Sequence, residues 1–204
     1  MNILLLDVET SPNTAYVWGL RKQNVALNQI INSGELLCYA SKWLGDEEVV
    51  FDSVMKSQKR HMMQRLARDL RKADIVVHYN GNKFDMPVIN AEFIKNKVPP
   101  VLSYNNIDLL RVVRKHFRFP SNKLDYVAGA LGLGNKEKHE GFDLWIKCMN
   151  RELEAWHTME KYNTQDVILL EKLYNTLLPW IVEHPSQGIT KTLRTQLANR
   201  MYEE

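Results

Sequence analysis

The chain has 204 residues, of which 45% are hydrophobic and 25% are charged, and its formal net charge is +3. These values predict a globular protein with one main domain and a substantial core. The sequence contains no run of about 18 apolar residues, which argues against a membrane-spanning helix. The two cysteines, Cys38 and Cys148, are far apart and suggest neither a zinc site nor a disulfide framework. The N-terminus lacks the basic region of a signal peptide, so we expect a cytoplasmic protein.

The first predicted element is a buried strand that leads into two acidic residues. The aliphatic run Ile3–Leu6 is typical of a central strand that is covered on both faces. Asp7 and Glu9 follow, and residues two apart in a strand point to the same face. Two such carboxylates repel each other and lose solvation, and a divalent cation would relieve both penalties. The alternative is that the strand ends at Leu6 and the acids are simply solvated.

The rest of the chain alternates between strands and helices. Early strands are predicted over 14–20, 36–44 and 48–54, and their short connections favour an antiparallel meander. Further strands are predicted over 74–79 and 104–108, and helices over 57–72, from about 85 to 97, and over 109–117, 124–131 and 152–178. Residues 179–204 form a predicted C-terminal helical extension, with a helix from His184 onward. This order predicts an α/β protein with a mixed sheet and helices on both faces.

The loop after the predicted strand 74–79 supplies a third candidate carboxylate. Its sequence is Asn80-Gly81-Asn82-Lys83-Phe84-Asp85, and it joins a buried strand to the start of a helix. Such a junction is a usual place for an active-site loop. The simpler interpretation is that Asp85 is the N-cap of the helix.

The long helix 152–178 supplies a fourth candidate. Its apolar face continues through Tyr162 and Asp166, which lie one turn apart. A tyrosine is an ordinary core residue, whereas an ionised aspartate on an apolar face needs a partner. This face of the helix offers no lysine or arginine.

Together, the four acids suggest a metal site. They are Asp7, Glu9, Asp85 and Asp166. Two divalent ions would neutralise such a cluster, and oxygen ligands favour magnesium or manganese over zinc. Two ions about 4 Å apart are the arrangement used for phosphodiester hydrolysis.

The motifs resemble those of the DEDD superfamily of 3′–5′ exonucleases, in its tyrosine branch. The first matching segment is Asp7-Val8-Glu9-Thr10, and the second is Asn80-Gly81-Asn82-Lys83-Phe84-Asp85. The third is Tyr162, followed four residues later by Asp166. The histidine branch would place a histidine where this chain has Lys161. The resemblance covers roughly residues 1–178 and is greatest to the proofreading domains of family B DNA polymerases. The 26 residues after Leu178 are too few for a polymerase, so we expect a free-standing exonuclease domain.

The resemblance implies an RNase H-like fold with a mixed five-stranded sheet and helices on both faces. It implies that Asp7, Glu9, Asp85 and Asp166 hold two Mg²⁺ or Mn²⁺ ions, and that Tyr162 orients the attacking water. Asn80, Phe84 and the backbone around Thr10 would contact the terminal nucleotide. The implied substrate is the 3′ end of single-stranded DNA, which would be shortened by 5′ mononucleotides. The alternatives are the same chemistry on RNA, and a non-catalytic nucleic-acid-binding domain.

A basic segment between the second and third motifs is a candidate for binding the nucleic acid. Its cations are interleaved with two phenylalanines, and the residues are Arg111, Arg114, Lys115, Phe117, Arg118, Phe119 and Lys123. The alternative is a solvated helix face. Without the four candidate ligands the formal charge of the protein changes from +3 to +7, which suits a polyanionic substrate. Asp74, Asp125 and Asp143 are assigned no chemistry, and Asp108 is a candidate for supporting the site indirectly.

Overall fold

A computed structural model describes residues 1–134 and 140–181. The strands of this part are β1 (Ile3–Thr10), β2 (Thr14–Ala15), β3 (Ile30–Asn32), β4 (Leu36–Trp43), β5 (Val50–Ser53), β6 (Ile75–His78) and β7 (Asn105–Asp108). Five of them form one sheet in the order β5-β4-β1-β6-β7, and β2 pairs with β3 in a separate hairpin. β1 is antiparallel to β4 and parallel to β6, so the sheet is mixed, as predicted.

Helices cover both faces of this sheet, which confirms the predicted layers. They are α1 (Lys59–Lys72), α2 (Asp85–Lys95), α3 (Leu109–His116), α4 (Leu124–Ala130), α5 (Asp143–Met149) and α6 (Leu153–Leu177). Side chains of α1 and α2 form one core with Leu4 and Leu6, and those of α3, α4 and α6 form another with Ile3 and Leu5. Alternate residues of β1 therefore serve the two cores, which is why its aliphatic run is uninterrupted.

The long helix α6 crosses the sheet on the face opposite to α1 and α2. It packs against β1 and β4, and its predicted apolar stripe is buried. The helix ends at Leu177 and passes into a short 3-10 turn that contains Pro179. The proline ends the helix because its ring and its missing N–H are incompatible with a helix interior. No helix in the described ranges is long and apolar enough to cross a bilayer.

One predicted strand needs correction. The strand predicted over 14–20 is wrong beyond Ala15, and its two strand residues pair with β3 rather than with the main sheet. β1 is already paired along one edge with β4 and along the other with β6, so no position beside it remains. Helix α5 was not predicted. The terminal helix expected from His184 lies outside the described residues.

Candidate active site

Three of the four predicted carboxylates meet at the end of β1. One oxygen atom from each of Asp7, Glu9 and Asp166 lies within 4.8 Å of the others. Asp7 and Glu9 are partly buried on β1, and Asp166 on α6 is only 1% exposed. Three carboxylates at this separation repel each other when ionised, and burial strengthens the repulsion. The donor set is made of hard oxygen ligands, so it fits Mg²⁺ or Mn²⁺.

Asp85 lies beside this group, although it is not one of the three residues whose oxygen atoms lie within 4.8 Å of one another. Its Oδ1 accepts a hydrogen bond from the N–H of Val8, at 3.1 Å, between the two acids of β1. The carboxyl group is 3% exposed, and burial raises its pKa to about 7 despite the backbone hydrogen bonds that it accepts. Asp85 is the first residue of α2, and the N-cap position is Phe84, so Asp85 is not the cap. The structure thus places Asp85 against the backbone of β1.

Tyr162 and Glu9 both contact a tryptophan that the sequence analysis missed. Trp145, on α5, donates from Nε1 to Oε2 of Glu9 at 3.2 Å. Its ring meets that of Tyr162 edge-on, with the ring centroids 6.0 Å apart. The signal that predicts α5 is the buried pair Leu144 and Cys148, which lie four residues apart on one helix face. Trp145 therefore fixes one carboxylate of the cluster and the ring of the neighbouring tyrosine.

Asn163 is a second residue that the sequence analysis missed. It is fully buried on α6, and its Nδ2 donates to Oδ2 of Asp7 at 2.6 Å. The signal for it was available, because Asn163 lies three residues before Asp166 and so on the same side of the helix. A buried amide next to a buried acid is a usual sign of a polar site.

The loop after β6 is fixed by hydrogen bonds from both sides. Asn80 has a left-handed backbone with φ of 67°, and its N–H donates to Oδ1 of Asp108 at 2.9 Å. The same oxygen caps α3 by accepting from the N–H of Leu110. Burial lowers the pKa of His78, whose Nδ1 accepts from the N–H of Gly81 at 3.1 Å. A Cβ at Gly81 would lie 2.3 Å from the His78 ring, so only glycine fits there.

A cleft of about 690 Å³ leads away from the carboxylates towards α3 and α4. Its lining residues are Asp7, Tyr79, Asn80, Leu110, Arg114, Asn122, Lys123, Leu124, Asp125 and Tyr162. Arg114 and Lys123 are therefore the members of the predicted basic segment that face the same space as Asp7. Tyr79 closes one wall by donating its hydroxyl to the carbonyl of Asn122 at 2.7 Å.

The phenylalanines of the basic segment are placed differently from the prediction. Phe117 lies 5.7 Å from Phe119 and 5.3 Å from Trp180 between ring centroids, and both phenylalanines pack against the core beneath α3. Both rings are partly buried by this packing, so they are not a free platform for bases. Phe84, which directly precedes Asp85, is 43% exposed.

Thr10 follows an irregularity in the pairing of β1 with β4. The register shifts between Glu9 and Thr10, where the partners change from Cys38 to Leu36. Such a bulge turns the strand and re-aims its side chains, and bulges are common next to active sites. Thr10 is partly buried beside a small groove on the α2 side, away from the larger cleft.

Comparisons with known proteins agree with this architecture. The family model of the RNase_H superfamily matches residues 4–178. A family B DNA polymerase from the hyperthermophilic archaeon Pyrobaculum calidifontis superposes with a TM-score of 0.67 at 19% identity, over 87% of this chain. The match covers 24% of the polymerase, so the chain spans about a quarter of its length. No curated protein gives a significant match. The predicted RNase H-like fold is confirmed.

Proposed function

The chain belongs to the ribonuclease H superfamily, and from this premise we propose that it is a metal-dependent 3′–5′ exonuclease of the DEDD type. The substrate proposed is the 3′ end of single-stranded DNA, and the product is a 5′ mononucleotide. The observation that carries the proposal is the convergence of Asp7, Glu9 and Asp166 within 4.8 Å, together with the cleft that Asp7 also lines. The family and the fold support a nuclease, and the finer assignment rests on these residues.

Asp7, Glu9 and Asp166 are the proposed metal ligands, with Asp85 beside them. When bound, two Mg²⁺ or Mn²⁺ ions would neutralise the acids and supply both an activated water and charge stabilisation for the leaving oxygen. The role of the protein is to hold the carboxylates in place. Glu9 is held by Trp145 and Asp7 by Asn163, each through a hydrogen bond to one carboxylate oxygen.

The charge of Asp85 is expected to depend on a cation bound at this site. Burial beside Val8 raises the pKa of this carboxyl group to about 7, and a neighbouring cation would favour the ionised form. Its hydrogen bond with the N–H of Val8 keeps it against the strand that carries Asp7 and Glu9. We therefore assign Asp85 to the metal site, as the second motif of the DEDD type requires.

Tyr162 is proposed to orient the water that attacks the terminal phosphodiester. It lines the cleft together with Asp7 and lies one helical turn before Asp166. Its edge-on contact with Trp145 fixes the position of the ring. A positioned hydroxyl of this kind lowers the barrier by holding the nucleophile in the attack geometry.

The terminal nucleotides are proposed to occupy the cleft. Arg114 and Lys123 supply positive charge for the phosphates, and Asn80 lines the same space. Phe84, exposed next to Asp85, offers a ring face for the last base, and the backbone at Thr10, the residue after Glu9, is the other proposed contact.

The experiment that tests this function is digestion of matched 5′-labelled DNA and RNA oligonucleotides with Mg²⁺, Mn²⁺ or a chelator. We expect a ladder that shortens from the 3′ end, with metal only, and faster on DNA. Faster loss of RNA would reassign the substrate. Internal cuts would contradict the exonuclease assignment, and tight binding without cleavage would identify a non-catalytic domain.

A further inference from the structure

A long exposed arm separates β1 from β4. We define the arm as residues 12–35, which include the β2–β3 hairpin, and none of these residues is buried. Trp18 and Leu20 are both 99% exposed, and Tyr16 is 76% exposed. Large apolar side chains that are concentrated in this way on the surface usually mark a contact surface.

Hydrogen bonds rather than packing hold the arm in shape. The N–H of Tyr16 donates to the carbonyl of Gln29 at 2.9 Å, and Nε2 of Gln29 donates to the carbonyl of Tyr16 at 2.9 Å. At the base, the N–H of Ser11 donates to the carbonyl of Glu35 at 2.8 Å. The backbone is thus ordered while the ring of Trp18 packs against almost nothing, which leaves its faces open to a ligand.

The charge of the arm indicates what kind of ligand it binds. The one acidic residue of the arm is Glu35 at its base, which pairs with Lys59 at 3.0 Å, and residues 12–34 contain no aspartate or glutamate. The charged side chains of this stretch are Arg21 and Lys22, both exposed. Exposed aromatic rings next to basic side chains, with no acid among them, are typical of surfaces that bind single-stranded nucleic acid.

The base of the arm lies next to the candidate active site. The chain leaves β1 at Thr10, one residue beyond the ligand candidate Glu9, passes through Ser11 into the arm, and returns at Leu36, which pairs with Thr10. We infer that the arm binds the single strand of a nucleic acid substrate on the 5′ side of the terminal nucleotides. Bases stack on Tyr16 and Trp18, while Arg21 and Lys22 bind phosphates. The identification of the strand as the nuclease substrate rests on the proposed function.

The test measures binding without cleavage. Single-stranded DNA oligonucleotides of increasing length are titrated with the whole protein in a chelator, which keeps them intact, and binding is followed by fluorescence anisotropy. Trp18→Ala weakens binding roughly tenfold, as expected when one stacked ring is removed. The effect grows with oligonucleotide length, because short strands do not reach the arm. Trp18→Phe keeps a ring and restores most of the affinity.

Two matched variants separate stacking from general apolar contact. Leu20→Ala removes an equally exposed side chain of the arm that has no aromatic face, and Leu102→Ala removes an 85% exposed leucine elsewhere. Both bind the oligonucleotides as the unaltered protein does.

The double variant Arg21→Gln, Lys22→Gln tests the phosphate contacts. Its slope of log affinity against log salt becomes shallower by roughly 0.7 for each phosphate that no longer has a cationic partner.

The inference is overturned if Trp18→Ala binds long oligonucleotides as tightly as the unaltered protein. It is also overturned if Leu20→Ala weakens binding as much as Trp18→Ala, which would identify a general apolar docking surface for a protein. Failure of the proposed nuclease activity is a separate result. In that case the digestion assay shows no ladder, whereas the binding defect of Trp18→Ala in the chelator remains.

Discussion

Asn163 donates a hydrogen bond from Nδ2 to Oδ2 of Asp7 at 2.6 Å, joining α6 to β1 across 156 positions of the chain. The bond fixes the orientation of a carboxylate in the candidate metal cluster, and both partners are part of the polar interior between sheet and helix. Groups that orient metal ligands in this way strongly influence metal affinity.

Asn163→Ala should therefore weaken binding of Mn²⁺ by about 10–100-fold and lower turnover in parallel. Isothermal titration calorimetry measures the affinity, and thermal unfolding measures stability in the same samples. The control is Asn175→Ala, an exposed asparagine on the same helix, which should change neither. A loss of stability in Asn163→Ala with unchanged metal affinity would show that Asn163 only fills space.

Trp145→Phe removes the N–H that donates to Glu9 and keeps a ring against Tyr162. Metal affinity should fall by about 10-fold, because Glu9 loses its orienting donor. The matched control is Trp156→Phe, whose Nε1 donates to the carbonyl of Cys148 at 3.0 Å, away from the acids. That variant should lose stability and keep its metal affinity. Equal metal affinities for the two variants would remove Trp145 from the site.

Tyr162→Phe tests the tyrosine branch. The change removes only the hydroxyl, so folding and metal affinity should hardly change, whereas kcat should fall about 10²–10³-fold through loss of water orientation. KM for an oligonucleotide should stay nearly constant. The control is Tyr39→Phe, in which the hydroxyl that is removed is buried and has no hydrogen-bond partner among the residues described. An unchanged kcat with chemistry rate-limiting would make Tyr162 a core residue only.

The pH dependence of stability should report on Asp85. Its pKa is raised to about 7 in the folded protein, whereas an aspartate in an unfolded chain titrates near about pH 4. Between about pH 4 and about pH 7 the folded state holds the extra proton, so the free energy of unfolding falls as pH rises. Asp85→Asn cannot ionise and should lack this decline.

Thermal unfolding of both proteins in a chelator, across that pH range, measures the difference. Asp85→Asn should have the higher melting temperature above about pH 7, where the buried carboxylate of the unaltered protein is charged. The same decline in both proteins would assign the pH dependence to other acids.

The sequence predicted the sheet, the two helical layers and three of the converging acids because each follows from a local pattern. The aliphatic run before Asp7 requires a central strand, and the apolar stripe of α6 places Asp166 inside. The strand prediction at residues 16–20 could not be corrected from a local pattern. Their apolar side chains have the composition of a strand, but both positions beside β1 in the sheet are occupied by β4 and β6.

The supporting residues of the site depend on packing between distant segments. Trp145 reaches Glu9 only because α5 packs on α6, and no local pattern of the sequence encodes that distance. The hydrogen bond of Asp85 with Val8 depends likewise on how α2 docks on β1. Motif spacing predicts which carboxylates belong to the site, whereas the packing of distant segments determines which atoms are in contact.

The acidic cluster is proposed to carry out phosphodiester hydrolysis, and substitution of one aspartate inside the cluster and of another outside it tests this role. Asp166→Asn removes a member of the cluster, and Asp125→Asn removes a carboxylate outside the cluster that lines the cleft beside Asp7. Release of mononucleotides from the 3′ end of single-stranded DNA is measured for both in Mg²⁺. We predict that Asp166→Asn loses at least about 10²-fold in rate and that Asp125→Asn stays within about a few-fold of the unaltered protein. Full activity in Asp166→Asn would contradict the account.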